Sequence, residues 1–318
     1  MLYHQINFLI VDDVHPLLLD FFKQKGAYFS YQPAIQPSEA EKIIKDFSGL
    51  IIRSKFRVDK TFLEKAPLLK IIGRAGSGMD NIDVQEAQKK NIVLLNAPEG
   101  NRKAVAEHAL GLLLGLLNKM PQSNREVKQK IWQREANRGT EVGSKTVGII
   151  GYGHTGREFA KYLHCLGANV IAYDRKKGYG DTYAKEVTLE YLQEQADVIS
   201  FHVSLNEDSR KMFSPLFLEK CEKPFWLLNT SRGEVVDLAT IYEGLANGKI
   251  LGVGLDVLEN ERLDALNAEQ EAIFEKITQF PNVILSPHVA GWTVESYKKI
   301  SEVLATKIAD LIESYEIL

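Results

Sequence analysis

TVGIIGYGHTGREFAKYLHCLGANVIAYDR, residues 146–175, puts three glycines between a short apolar run and a helix-patterned segment, then closes the next apolar run on an acid. TVGII has the β-branched content and the glycine stop of a buried strand. After it, Phe159, Ala160, Leu163 and Leu166 fall on one helical face. NVIAY reads as a second strand, with Asp174 just past it. Gly151, Gly153 and Gly156 fill the pattern G-x-G-x-x-G inside this βαβ unit. They serve a tight turn, bare backbone where a pyrophosphate comes close, and close helix-to-strand packing. The helix start, at His154 and Thr155, offers unpaired N–H groups and a positive dipole end to phosphates. Asp174 stands about twenty residues after the first glycine, where an acid meets a ribose. An acid there accepts from a 2′-OH and repels a 2′-phosphate, so NAD is expected over NADP. Arg175, Lys176 and Lys177 follow at once, either as a solvated basic loop or as cations that tolerate a phosphate.

The rest of the chain suits such a unit. At 318 residues it is long enough for two domains with their own cores. With 45% apolar residues, 25% charged residues and a net charge of −3, it gives no electrostatic case for nucleic acid or an anionic membrane as partner. The apolar run near the N-terminus is too short for a signal peptide, and LGLLLGLL (110–117) is far below membrane-spanning length. Cys165 and Cys221 are the only cysteines and lack ligand spacing, so no disulfide framework and no metal site are expected. The cytoplasm is the expected compartment.

Short apolar strands alternate with helical segments, which argues for parallel α/β sheets. Strands are expected at NFLIV (7–11), GLIIR (49–53), LKIIG (69–73) and NIVLL (91–95) in the first part. In the second they are expected at TVGII, NVIAY, DVISF (197–201), FWLLN (225–229), GVGLDV (252–257) and NVILS (282–286). A long helix is expected from Asn101 to Met120, ended by Pro121, and another from about Thr293 to Ser314. Ligands of open α/β sheets bind beyond the carboxyl ends of the strands. The polar residues there are Gly151, Asp174, His202, Thr230, Arg232, Asp256 and His288, and earlier Arg53 with Ser54 and Arg74 with AGSG (75–78).

GRAGSGMDNID, NAPEGNRKAVAEHALGLLL, GIIGYGHTGREFAKYL, NTSRGEVVD, GVGLDVLENE and SPHVAGWT, in this order over most of the chain, resemble the D-isomer-specific 2-hydroxyacid dehydrogenase family. The first two segments are most similar to its D-3-phosphoglycerate dehydrogenase branch. The resemblance implies two doubly wound parallel-sheet α/β domains sharing one cleft. Residues 98–290 would form a Rossmann-type NAD domain, and residues 1–97 with 291–318 a smaller flavodoxin-like substrate domain.

Roles follow from the same resemblance. Arg232 is expected to grip the substrate carboxylate and keto oxygen, Glu261 to hydrogen-bond the catalytic histidine, and His288 to be the general acid/base. Independent chemistry agrees: oxidising a 2-hydroxy acid removes a hydroxyl proton while a hydride leaves the same carbon. Histidine accepts that proton near neutral pH, a carboxylate beside it fixes the ring, and arginine pairs bidentately with a carboxylate. In isolation His288 is also readable as a loop residue, Arg232 as a turn arginine, and Glu259 as the partner in a shifted register. Gly151, Gly153, His154, Thr155, Gly156, Asp174, Arg175, His202, Thr230, Asp256 and Gly291 are expected around NAD. Arg53, Ser54, Arg74, Gly76, Ser77, Gly78 and Asn101 are expected around the substrate, with solvated surface arginines and a helix N-cap at Asn101 as the competing readings. A homodimer through residues 101–142 is expected, with Gly111 and Gly115 suited to close helix packing and Arg134 and Arg138 on an arm toward a neighbouring subunit.

The function implied is NAD-dependent oxidation of a D-2-hydroxy acid or the reverse reduction, with D-3-phosphoglycerate leading and glycerate/hydroxypyruvate or glyoxylate as runners-up. An NAD-sensing, co-repressor-like binding protein on the same fold is the rival from another class. Two motifs depart from the family: Arg262 follows Glu261 where proline is usual, and Ser204 replaces the proline of the strand-end H-x-P. From the chain's end at residue 318, no C-terminal regulatory domain and no serine inhibition are expected.

Overall fold

The computed structural model describes residues 2–314. The chain divides into two compact units, Met1–Asn101 with Trp292–Leu318, and Arg102–Gly291. Each is built on one wholly parallel sheet.

The first unit holds β1 (Asn7–Ile10), β2 (Tyr28–Tyr31), β3 (Gly49–Ile52), β4 (Ile71–Arg74) and β5 (Val93–Asn96) in the order β2-β1-β3-β4-β5. That is the flavodoxin-like order, whose strand reversal lies between β1 and β3. Side chains alternate across the sheet, as strand geometry requires. Phe8, Ile10 and Ile51 pack on one face with Leu18, Phe22 and Leu304, while Leu9, Leu50 and Ile72 pack on the other with Ala40 and Phe62. Each fully buried Leu, Ile or Phe contributes about 1.5–3 kcal/mol. The helix Val294–Glu313 is capped by Thr293, whose hydroxyl accepts from Ser296 N.

The second unit holds β6 (Thr146–Ile150), β7 (Asn169–Tyr173), β8 (Lys185–Glu186), β9 (Val198–Phe201), β10 (Phe225–Asn229), β11 (Ile250–Leu255) and β12 (Val283–Leu285). Their order is β12-β11-β10-β9-β6-β7-β8. This is the Rossmann arrangement with one strand added, and it reverses between β6 and β9. The Gly151–Gly156 turn leaves β6 at that point.

Three local expectations need correction. β2 and β8 are additional strands: β2 is an edge strand with half-exposed tyrosines, and β8 is two residues long, so neither has the apolar signature of a buried strand. The long helix is Pro98–Leu117, with proline at its first position, where the missing N–H costs nothing. Asn101 is therefore inside the helix and is not its N-cap. Pro121 does not simply end a helix, since it lies in the first turn of the next one, Met120–Lys128, after Lys119 has turned left-handed at φ 50°.

Candidate active site

The fingerprint turn is built by sterics. Gly151 has φ +95°, and a Cβ there would lie 2.6 Å from the His202 carbonyl oxygen. At Gly156 a Cβ would lie 2.1 Å from the Gly151 oxygen, so helix His154–Cys165 and the turn touch backbone to backbone. At Gly153 it would meet nothing within 4 Å. Gly153 caps the helix without a side-chain hydrogen bond, so the first-turn N–H groups face open space, with His154 exposed and Thr155 half-buried.

Asp174 follows β7 and accepts from Tyr152 N at 2.8 Å and from Lys176 N at 3.0 Å. The acid is thus fixed to the fingerprint turn by the turn's own backbone. Arg175 pairs with Asp208 at 2.7 Å, both largely exposed, and Lys177 lies over the Tyr173 ring. These contacts favour the solvated-loop reading of the basic run.

His202, after β9, is buried and shares a 2.9 Å hydrogen bond between Nε2 and Ser200 Oγ. Burial pushes its pKa down to about 4, so the ring is neutral at working pH. Its Nδ1 and the Thr230 hydroxyl are buried polar atoms with no hydrogen-bond partner in the protein. Orphaned polar atoms are costly unless a ligand or water meets them. Together with the open cradle at Gly153 and the anchored Asp174, they fit a dinucleotide.

Asn229, the last residue of β10, shapes the turn that carries Arg232. Its side-chain oxygen accepts from Ser231 N and Oγ, and its amide nitrogen donates to the Arg232 carbonyl. The Arg232 guanidinium donates to the Ser231 carbonyl at 2.7 Å. A Cβ at Gly233 would lie 1.9 Å from the Leu258 carbonyl carbon, so this turn lies flush against the segment leading to Glu261. Glu261 then meets His288, with Oε1 2.8 Å and Oε2 3.0 Å from Nδ1. Glu259 instead lies 3.8 Å from Lys211, and burial raises its pKa. The histidine's partner is therefore Glu261, and the shifted register is not used. The stretch between Glu261 and His288 contains helix Ala268–Thr278, capped by Asn267.

Asp256 is 1% exposed, and its carboxylate accepts from Ser286 Oγ, Val289 N and Ala290 N. It holds the loop around His288, a role that β-strand pattern alone does not disclose. Gly291 ends this unit.

The expected substrate residues belong to the first unit. Ile52 and Arg74 are register partners across β3 and β4, which brings Arg53 and Arg74 to the same sheet edge. Asp12 accepts from the backbone N–H groups of Arg53, Ser54 and Lys55. The Arg53 guanidinium lies 4.0 Å above the Trp292 ring, which meets Tyr297 edge-on. Arg74 occupies the space a Gly76 side chain would need: a Cβ there would be 1.6 Å from Nη1. Ser77 and Gly78 continue the turn, whose Ser77 carbonyl accepts from Asn96 at 2.6 Å. Asn101 presents a buried Oδ1 with no partner in the protein. Asn229, Gly233, Asp12 and Trp292 were absent from the expected site: Gly233, Asp12 and Trp292 act through contacts with residues distant in sequence, and Asn229 through side-chain bonds within its own turn that carry no motif signature.

Residues 110–290 match the model of the D-isomer-specific 2-hydroxyacid dehydrogenase NAD-binding domain. A hydroxypyruvate reductase from Thermotoga maritima is 35% identical over 86% of this chain and 88% of its own length. A D-3-phosphoglycerate dehydrogenase from Archaeoglobus fulgidus is 32% identical over 95% of this chain, which spans 56% of that protein's length. The crystal structure of a D-lactate dehydrogenase from Aquifex aeolicus with NAD and lactic acid, 24% identical, superposes with a TM-score of 0.85 over 97% of this chain and 96% of that one, a likeness of fold. Domain model, relatives and two-sheet architecture agree: the chain belongs to the D-isomer-specific 2-hydroxyacid dehydrogenase family, with NAD as its cofactor.

Proposed function

We propose that the chain interconverts D-3-phosphoglycerate and 3-phosphohydroxypyruvate, a step of serine biosynthesis, with Arg232, Glu261 and His288 as its catalytic residues. The observation that carries the substrate is the pair of arginines, Arg53 and Arg74, at neighbouring strand ends of the first unit. Each is held by its surroundings: Arg53 by Trp292 and Arg74 by the bare Gly76. Two arginines at neighbouring strand ends suit a phosphate. The 35% identity to a hydroxypyruvate reductase favours a second reading, reduction of an unphosphorylated 2-keto acid.

In either case the chemistry of this chain's own residues is the same. NAD, when bound, accepts or supplies the hydride. Glu261 takes the Nδ1–H of His288 and so leaves Nε2 to exchange a proton with the substrate oxygen. Arg232 pairs with the carboxylate and stabilises charge on the carbonyl oxygen. His202 and Thr230 meet the cofactor through the buried atoms that lack partners.

The test is steady-state NADH oxidation with 3-phosphohydroxypyruvate, hydroxypyruvate, glyoxylate and 2-oxoglutarate. A large kcat/KM preference for the phosphorylated acid supports the arginine assignment. Preference for an unphosphorylated acid transfers the function to the second reading, and no turnover with any favours an NAD-sensing protein. Gly76→Ala displaces Arg74 and should raise KM for the phosphorylated acid roughly tenfold, about 1.4 kcal/mol of binding, with KM for NADH unchanged. An unaltered KM for the acid removes Arg74 from the pocket.

We also propose a homodimer through residues 101–142, in a reducing compartment such as the cytoplasm. Met120, Val127, Ile131 and Trp132 expose large apolar surfaces on this segment, and neither cysteine is in a disulfide. Sedimentation should give a dimer that weakens on Trp132→Asp; a monomeric parent contradicts it.

A further inference from the structure

A chain of polar contacts lies beneath the His288 loop, and none of its members is assigned to substrate or proton transfer. His108, on helix Pro98–Leu117, brings Nε2 to 2.8 Å from Ser286 Oγ. The Ser286 hydroxyl donates to Asp256 Oδ1 at 2.6 Å. With its single proton committed there, Ser286 Oγ accepts, so His108 carries the proton on Nε2. Asp256 Oδ1 also accepts from Val289 N at 2.9 Å, and Oδ2 from Ala290 N at 2.8 Å. Its backbone carbonyl takes His288 N at 2.8 Å.

His288 sits between these anchors with φ 54°, a left-handed conformation that residues other than glycine rarely adopt. Such backbone persists where its surroundings over-determine it. Here the residues on both sides of His288 are tied to one buried carboxylate: Ser286 by its side chain, Val289 and Ala290 by their amides. Glu261 restrains only the ring. Ring and backbone are thus fixed by two separate sets of contacts.

We propose that His108 and Ser286 are positioning residues, which act through Asp256 to hold His288 in the backbone conformation that aims its imidazole. The proposal rests on His288 being the acid/base. Ser286 fixes the orientation of the Asp256 carboxylate, and His108 fixes the direction of the Ser286 hydroxyl. Without them the carboxylate turns, and the Val289 and Ala290 amides lose their common acceptor.

The experiment measures kcat, KM for NADH and KM for the keto acid in the full chain. Ser286→Ala and His108→Leu should each lower kcat on the order of ten- to hundredfold, with KM for NADH within about twofold of the parent. Ser286→Thr, which keeps the hydroxyl, and His108→Gln, which keeps an N–H donor, should recover most of that loss. The double variant Ser286→Ala/His108→Leu should fall little below the worse single, because both act on one carboxylate. Added to a His288→Gln background, Ser286→Ala should cost nothing further in residual turnover. An equal loss in that background, or a loss confined to KM for NADH, shows that the contacts serve something other than His288 and overturns the proposal. So do parent-like Ser286→Ala and His108→Leu variants alongside a dead His288→Gln. A parent-like His288→Gln variant fails differently, by removing the acid/base reading itself. Should either single variant not fold, the two conservative variants carry the test: each should keep most of the parent's kcat, and a loss of about tenfold or more in them contradicts the proposal.

Discussion

A His288→Gln variant should lose about 10²–10⁴-fold in kcat, the usual contribution of a positioned acid or base, while NADH binds as before. Glutamine keeps a polar group of similar reach but cannot take up and return the proton. The ring in the parent is held at Nδ1 by both oxygens of Glu261, at 2.8 and 3.0 Å, so one nitrogen is left for chemistry. NADH fluorescence titration separates the two quantities. Retained turnover with unchanged cofactor affinity would mean that the proton moves elsewhere. The fingerprint turn and His288 lie in the same unit but on separate loops, after β6 and after β12, and binding and chemistry are therefore expected to separate cleanly.

Gly233→Ala should do more damage than its one added carbon suggests. The new Cβ would stand 1.9 Å from both the carbon and the oxygen of the Leu258 carbonyl, and 2.4 Å from Glu259 N. No side-chain rotation relieves a clash with backbone, so the Arg232 turn and the segment toward Glu261 must part. Overpacking of this kind costs typically about 1–3 kcal/mol in stability, roughly 2–12 °C in Tm for a domain of this size. Activity should fall further than folding, at least about a hundredfold in kcat/KM, because the displaced segments carry Arg232 and Glu261. Differential scanning calorimetry beside kinetics checks both parts. A parent-like Tm with full activity would show that the two segments are not packed as described.

Much of this arrangement is legible in the sequence, and the physics of each part decides which. The Gly151–Gly156 turn is legible because every glycine answers a local constraint: a positive φ, an open approach, a backbone contact. Buried strands such as β6 and β9 are legible because both faces are covered and the residues run apolar. The edge strand β2 and the two-residue β8 lack that cover, and their hydrophobic signal is correspondingly weak. Pairing of His288 with Glu261 rather than Glu259 depends on how a loop of irregular backbone turns, which spacing alone leaves open. Gly233, Asp12 and Trp292 work through partners brought close only by folding, and Asn229 through local side-chain bonds that no residue pattern announces. Asp256 shows the limit best: its position after a strand marks it as a site residue, yet its buried carboxylate is engaged in holding the chain around His288.

The measurement that tests the account most directly is the stereochemistry and stoichiometry of NADH-driven reduction by the purified protein. Incubation with 3-phosphohydroxypyruvate or hydroxypyruvate, followed by chiral chromatography of the product, gives both in one assay. The account predicts one D-2-hydroxy acid formed per NADH consumed, with the reaction abolished in Arg232→Ala. An L product, or NADH consumed without a hydroxy acid, would contradict it.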